Sequence, residues 1–224
     1  MKWSGLFSIE CSRLAARLAA RLAAVPAGLA ILAMTGACAG AASLGTAALK
    51  SGDVAIMLDG DIADGDGDAV EALMKETNDR GKLVAALRLD SPGGSLAESV
   101  KIAELVQRTK IAVVVGSKAR CASACFLIFA AGTEKFVGYG AAIGVHGASD
   151  KYGRITPRAA AATVSMARMV REFGVPQSIV EKLVVTGPDE IVWLSIDELR
   201  SMGAVITGQP RASLPILIGA PASG

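Results

Sequence analysis

After residue 50 the chain alternates short apolar runs with stretches whose apolar positions recur at helical spacing. A strand is predicted over 54–58, then an amphipathic helix over 68–79 with Val70, Leu73 and Met74 on one face. A strand over 83–89 leads into a helix over 95–108, whose apolar positions are Leu96, Val100, Ile102, Ala103, Leu105 and Val106. The run 111–115 is apolar and mostly β-branched, as a central parallel strand requires. The segment 123–131 is apolar on every side, which predicts a helix buried all round. Short strands at 135–137 and 142–145 follow, then helices over 157–173 and 176–185, a strand over 191–194, a helix over 196–202 and a strand over 204–206. Strands alternating with helices imply βαβ units and a mostly parallel sheet flanked by helices, an α/β fold. The α/β domain is expected over 50–207, with a loose Pro-, Gly- and Ala-rich tail over 208–224.

The first forty residues change this picture. Arg13, Arg17 and Arg21 precede an apolar stretch over 22–34 and the small-residue run Thr-Gly-Ala-Cys-Ala-Gly-Ala-Ala. An apolar core of about 13 residues is short for a spanning helix and normal for an export signal. Residues 1–41 are therefore read as a signal peptide cleaved after Ala39 or Ala41, with an uncleaved membrane anchor or a lipidated Cys38 as alternatives, and the protein as periplasmic or exported. The segment also carries the charge imbalance. Outside it, 19 basic residues face 20 acidic ones, so the basic pI gives no ground for a nucleic-acid partner and none is expected. Aromatic residues are 4% of the chain, leaving a core of Ala, Val, Ile and Leu.

Three segments carry candidate chemistry. Ser91-Pro-Gly-Gly-Ser95 joins a strand to a helix, where paired glycines turn the backbone sharply and leave N–H groups uncovered. Ser123 opens the buried helix, so its hydroxyl and the N–H of Ala124 stand at a positive helix terminus, though a serine there can equally be a plain N-cap. His146, the chain's one histidine, ends a short apolar strand; it reads as a general base or as a hydrogen-bonded structural group. Cys121 and Cys125 bracket Ser123 at a spacing that suits a disulfide or two packed thiols, and no other Cys or His stands nearby to complete a zinc site. The acidic run Asp59, Asp61, Asp64, Asp66 and Asp68 fails as a calcium loop, since Ala69 and Lys75 stand where Gly and Glu are needed; it reads as a solvated turn ending in Asp68 as an N-cap. No metal and no cofactor are expected.

The order and spacing of Leu89-Asp-Ser-Pro-Gly-Gly94, Cys121-Ala-Ser-Ala-Cys125 and Gly144-Val-His146 resemble the Clp protease proteolytic subunit and its wider Clp/crotonase superfamily. The segment from Trp193 to Val205 resembles that family's closing segment, so the likeness runs from about 54 to 206, and its details look closest to exported Clp-like proteins. The resemblance implies a fold of repeated ββα/βαβ units, a peptide or protein substrate and a homo-oligomer. It implies Ser123 as nucleophile, His146 as its base, and the N–H groups of Gly94 and Ala124 as the oxyanion hole. One departure stands out. The family's aspartate falls two residues before the aromatic-Leu-Ser of the closing segment, where this chain has Ile191; Asp189 is the expected orienter in its place.

The leading expectation is thus an exported serine hydrolase, a Clp-like peptidase, attached to the membrane through its N-terminal segment if that segment is kept. The alternative is a non-catalytic Clp-fold binding or scaffolding protein with a vestigial site, which the displaced carboxylate favours. A crotonase-type acyl-thioester enzyme would not need a Ser-His pair. A Ser-Lys mechanism would require Lys118 or Lys151 near Ser123, and His146 makes either unnecessary.

Overall fold

The sheet is built on strands that the apolar pattern marks. The computed structural model of the chain describes residues 41–150 and 152–208, so the predicted export segment, Cys38 and nearly all of the tail lie outside the described residues. Strands β1 (Ser43–Ala48), β2 (Val54–Asp59), β3 (Val84–Asp90), β4 (Ala112–Val115), β6 (Lys135–Gly138) and β9 (Ala204–Thr207) form a six-stranded sheet in the order β1-β2-β3-β4-β6-β9. Only β1 runs antiparallel to its neighbour. A second, three-stranded sheet pairs β5 (Arg120–Ala122) with β7 (Ala142–Val145) in parallel, and β7 with β8 (Val192–Trp193) antiparallel. Between the strands lie α1 (Asp66–Asp79), α2 (Leu96–Thr109), α3 (Ala124–Ala131), α4 (Pro157–Glu172), α5 (Gln177–Val185) and α6 (Ile196–Ser201). The mostly parallel α/β architecture is the expected one.

Helix α3 is the centre of the core. All of its residues are buried, and Phe126, Leu127, Ile128 and Phe129 expose no surface. Large side chains buried in this way stabilise the fold by about 1.5–3 kcal/mol each. Leu87, Leu89, Val113 and Val115 of the two central parallel strands are equally closed off. A helix apolar on every face has no position except between other layers, and that fixes where its first residue emerges.

Two strands escape the apolar pattern. β1 reads Ser-Leu-Gly-Thr-Ala-Ala, half-buried or exposed along its length, and is held by its ladder to β2. The sheet consequently begins before residue 50. β5 has three residues, too few for any periodicity to register.

The acidic run also differs from the expected solvated turn. Helix α1 starts at Asp66, its N-cap is Gly65, and no side chain caps it; Asp68 lies within the helix and pairs with Lys101 at 3.2 Å. Asp66 is buried, and its Oδ2 accepts the N–H groups of Ala42 at 3.1 Å and Ala63 at 2.8 Å. The carboxylate is spent on backbone donors that the start of β1 and the turn before α1 would otherwise leave unpaired. Among the described residues no group of His, Cys, Asp and Glu is placed to hold a metal ion. Where α1 meets α2, a Cβ on Gly67 would lie 2.9 Å from Glu98 Oε2, and the Gly67 N–H donates to that oxygen at 2.9 Å.

Two predictions follow from these carboxylates. Asp66→Ala strands the Ala42 and Ala63 donors and is expected to lower unfolding free energy by about 1–3 kcal/mol, read from urea midpoints. Burial pushes the Glu98 carboxyl up, but the Gly67 N–H and Lys101 outweigh it and hold the carboxyl below the usual glutamate range. A carboxyl depressed in the folded state adds stability above its unfolded titration range and loses it as pH falls. Glu98→Gln is therefore expected to cost stability at pH 7 and to narrow the drop in urea midpoint between pH 7 and pH 3.

Candidate active site

The turn after β3 is shaped to approach the start of α3. Gly93 and Gly94 adopt φ values of 110° and 131°, which L side chains rarely reach. A Cβ on Gly93 would sit 2.7 Å from Ser123 Cβ, and one on Gly94 would sit 2.2 Å from the Ile62 carbonyl oxygen. Ile62 clamps the turn from outside: its N–H donates to the Gly93 carbonyl at 2.8 Å, and its carbonyl accepts from Ser95 at 2.7 Å. Ser91, fully buried, ties the turn to β5. Its N–H donates to the Arg120 carbonyl at 2.8 Å, its carbonyl accepts from Ala122 at 3.1 Å, and its Oγ accepts the Gly93 N–H at 3.1 Å. The Gly94 N–H has no hydrogen-bond partner among the described residues.

Ser123 stands at the strand-to-helix corner with φ 56° and ψ −128°. A non-glycine residue held in so sparsely populated a region costs about 1–3 kcal/mol, and such strain concentrates where function requires it. Ser123 occupies the N-cap position of α3, but its side chain makes no capping bond. The hydroxyl is left uncommitted, and the adjacent Ala124 N–H is one of the unpaired donors of the first helical turn. The Cys121 and Cys125 sulfurs on either side are bonded at 2.00 Å.

His146 leaves the end of β7 into the same pocket. The pocket has a volume of about 840 Å³ and is lined by Gly94, Ser123, Ala124 and His146, with Leu96 and Met166 among its apolar walls. His146 Nδ1 lies 2.7 Å from the Gly147 carbonyl oxygen. A carbonyl only accepts, so Nδ1 carries the proton, and in the neutral ring Nε2 is the free acceptor. The Gly147 segment is itself pinned. Its N–H donates to the Thr186 carbonyl at 2.9 Å, and Thr163 Oγ1, on α4, accepts the Ala148 N–H at 2.8 Å.

The structure brings together Gly94, Ser123, Ala124 and His146, and it leaves Asp189 apart. Asp189 is exposed and is not among the pocket's lining residues. Ile191, at the sequence position where the resemblance expects a carboxylate, lies against β7, its Cγ2 2.4 Å from where a Gly144 Cβ would be. Lys118 is exposed and outside the pocket, and Lys151 lies outside the described residues. Sequence reasoning did not mark Gly147, Thr163 or the face of α4 that lines the pocket with Ala159, Ala162 and Met166. Spacing of i, i+3 and i+7 was the only available signal for the last, and it reads as ordinary core.

No family model matches the sequence, and no curated protein does. Solved structures do match. ClpP1 from Listeria monocytogenes superposes with a TM-score of 0.53 at 16% identity, over 69% of this chain and 92% of that one. A variant of the membrane-bound stomatin-specific protease 1510-N, in complex with a substrate peptide, superposes with a TM-score of 0.51 at 20% identity, over 68% of this chain and 72% of that one. Likeness at these identities speaks for the architecture: the chain has the Clp/crotonase fold that its three motifs resemble.

Proposed function

We propose that the protein is an exported serine hydrolase, a Clp-like peptidase that acts through Ser123 and His146. The observation that carries the reading is the strained Ser123, whose uncommitted hydroxyl shares one pocket with a histidine of defined tautomer. In the proposed reaction Ser123 Oγ attacks a peptide carbonyl as its proton passes to His146 Nε2, and the N–H groups of Gly94 and Ala124 receive the developing oxyanion. His146 then returns the proton to the leaving amine, and water hydrolyses the acyl-enzyme by the same route. The Gly147 carbonyl, not Asp189, orients the ring. A neutral carbonyl fixes the tautomer but offers the imidazolium only a dipole, and charge-assisted hydrogen bonds are roughly twice as strong. Turnover below that of a full triad is the consequence. The pocket volume of about 840 Å³ suits a segment of peptide. That the matched solved structures include a protease with a bound peptide supports the same substrate class.

Labelling of the purified protein with a fluorophosphonate probe tests the reading. Ser123→Ala is expected to abolish labelling, His146→Ala to slow it by about 10²–10⁴-fold, and Asp189→Asn to leave it within about twofold. Absence of Ser123-dependent labelling would leave the non-catalytic binding protein as the reading of this fold.

Export is supported by the N-terminal sequence and by a disulfide, which persists in oxidising compartments. Cleavage after Ala41 would also give Ala42 a free ammonium beside the buried Asp66 carboxylate, which already accepts the Ala42 N–H at 3.1 Å. Intact mass of the protein recovered from an exporting host is expected to match a chain beginning at Ala42; a mass that retains residues 1–41 unmodified would rule out signal cleavage.

A further inference from the structure

We infer that the Cys121–Cys125 disulfide is the clamp that sets the backbone of Ser123, and that the two cysteines are positioning residues for the proposed hydrolysis. The inference rests on the serine-hydrolase reading and adds a role that the serine, histidine and glycine motifs do not require. The noncovalent restraints on Ser123 are modest. Its N–H donates to the Gly144 carbonyl at 3.2 Å, its carbonyl accepts from Phe126 at 2.9 Å, and its side chain holds nothing. Yet its φ of 56° with ψ −128° must be maintained against relaxation.

The disulfide ties together the two bodies whose relative setting decides that conformation. Cys121 belongs to β5, which pairs with Ile143 of β7 and bridges to Ser91 in the glycine turn. Cys125 belongs to α3, the most deeply buried helix, and the Cα atoms of the two cysteines are 5.3 Å apart. Ser123 sits at the middle of the closed five-residue segment, with the Ala124 N–H beside it. Opening the bond frees β5 and α3 to relax toward an ordinary corner, turning both the hydroxyl and the Ala124 donor away from a reacting carbonyl. Both cysteines expose no surface, so the clamp is shielded from adventitious thiols. Cleavage of it by a dithiol breaks one S–S bond and transfers two electrons and two protons; it yields two cysteine thiols and the oxidised, cyclic dithiol, and changes no other group.

The experiment compares wild type with the Cys121→Ala/Cys125→Ala double variant, and with wild type reduced by dithiothreitol in mild urea and returned to native buffer. Alkylation in denaturant without reductant, followed by peptide mapping, first reads whether Cys121 and Cys125 carry free thiols. Fluorophosphonate labelling and turnover of a small activated ester then read the site, and amide exchange over residues 122–126 reads the backbone whether or not the serine reacts. Expected are no free thiol at Cys121 or Cys125 before reduction, and labelling and kcat at least 10-fold lower in the variant with KM within about twofold. Exchange over 122–126 should be faster in the variant while the far-UV spectrum is unchanged. Reoxidation of the reduced wild type should restore the rate. Alkylation of Cys121 and Cys125 in the unreduced protein, or a double variant with wild-type labelling and exchange, would overturn the inference. Wild type that exchanges slowly over 122–126 but never labels would instead sink the hydrolase reading and leave the clamp standing. Should the double variant not fold, the reduced and reoxidised wild type decides alone.

Discussion

The contact on which the rest of the site depends is that between Gly93 and Ser123. Two backbones meet there with no room for a methyl group, since a Cβ on Gly93 would lie 2.7 Å from Ser123 Cβ and 2.8 Å from the Ala122 carbonyl oxygen. This approach lets the Gly94 N–H and the Ala124 N–H, which belong to different crossovers, line one pocket with Ser123. Any side chain on the turn would push the sheet's third strand from the corner before α3, and the two donors would part.

The surrounding packing enforces the approach from several directions. Ile62 holds the glycine turn from one side, Ser91 stitches it to β5, and the buried body of α3 holds the corner from behind. These contacts set the place of the corner, while the Cys121–Cys125 disulfide closes the segment in which Ser123 holds its φ of 56°. Local strain is offset by burial elsewhere: four residues of α3 with large side chains expose nothing. A rigid apolar scaffold presenting a strained polar corner is a common solution for positioning a nucleophile.

Histidine is held by a different logic. β7 delivers His146 to the pocket, and the chain beyond it is fixed by Thr163 and Thr186, so that a main-chain carbonyl meets Nδ1. Ile191 packs against the bare backbone of Gly144, and Asp189 stands exposed and outside the pocket lining. A carbonyl partner fixes the tautomer that leaves Nε2 open and carries no negative charge. Such a partner orients the ring and offers an imidazolium only a dipole.

The order of strands and helices was legible in the sequence because apolar runs of period two and 3.6 reflect burial directly, and α3, apolar all round, announced its own place in the core. That Gly94, Ser123, Ala124 and His146 are candidates was legible from residue type and spacing, and the structure sets all four around one pocket. Other features depend on groups far apart in the chain. β1 has no apolar signature and exists through its ladder to β2. Asp66 looked like one more solvated carboxylate until the Ala42 and Ala63 donors closed on it. The orienting partner of His146 is a main-chain carbonyl, which every residue carries and no sequence pattern can mark. Residue type and local period thus determined the fold class and the candidate groups, whereas only the tertiary structure, by deciding which backbone atoms meet, chose what stands behind the histidine.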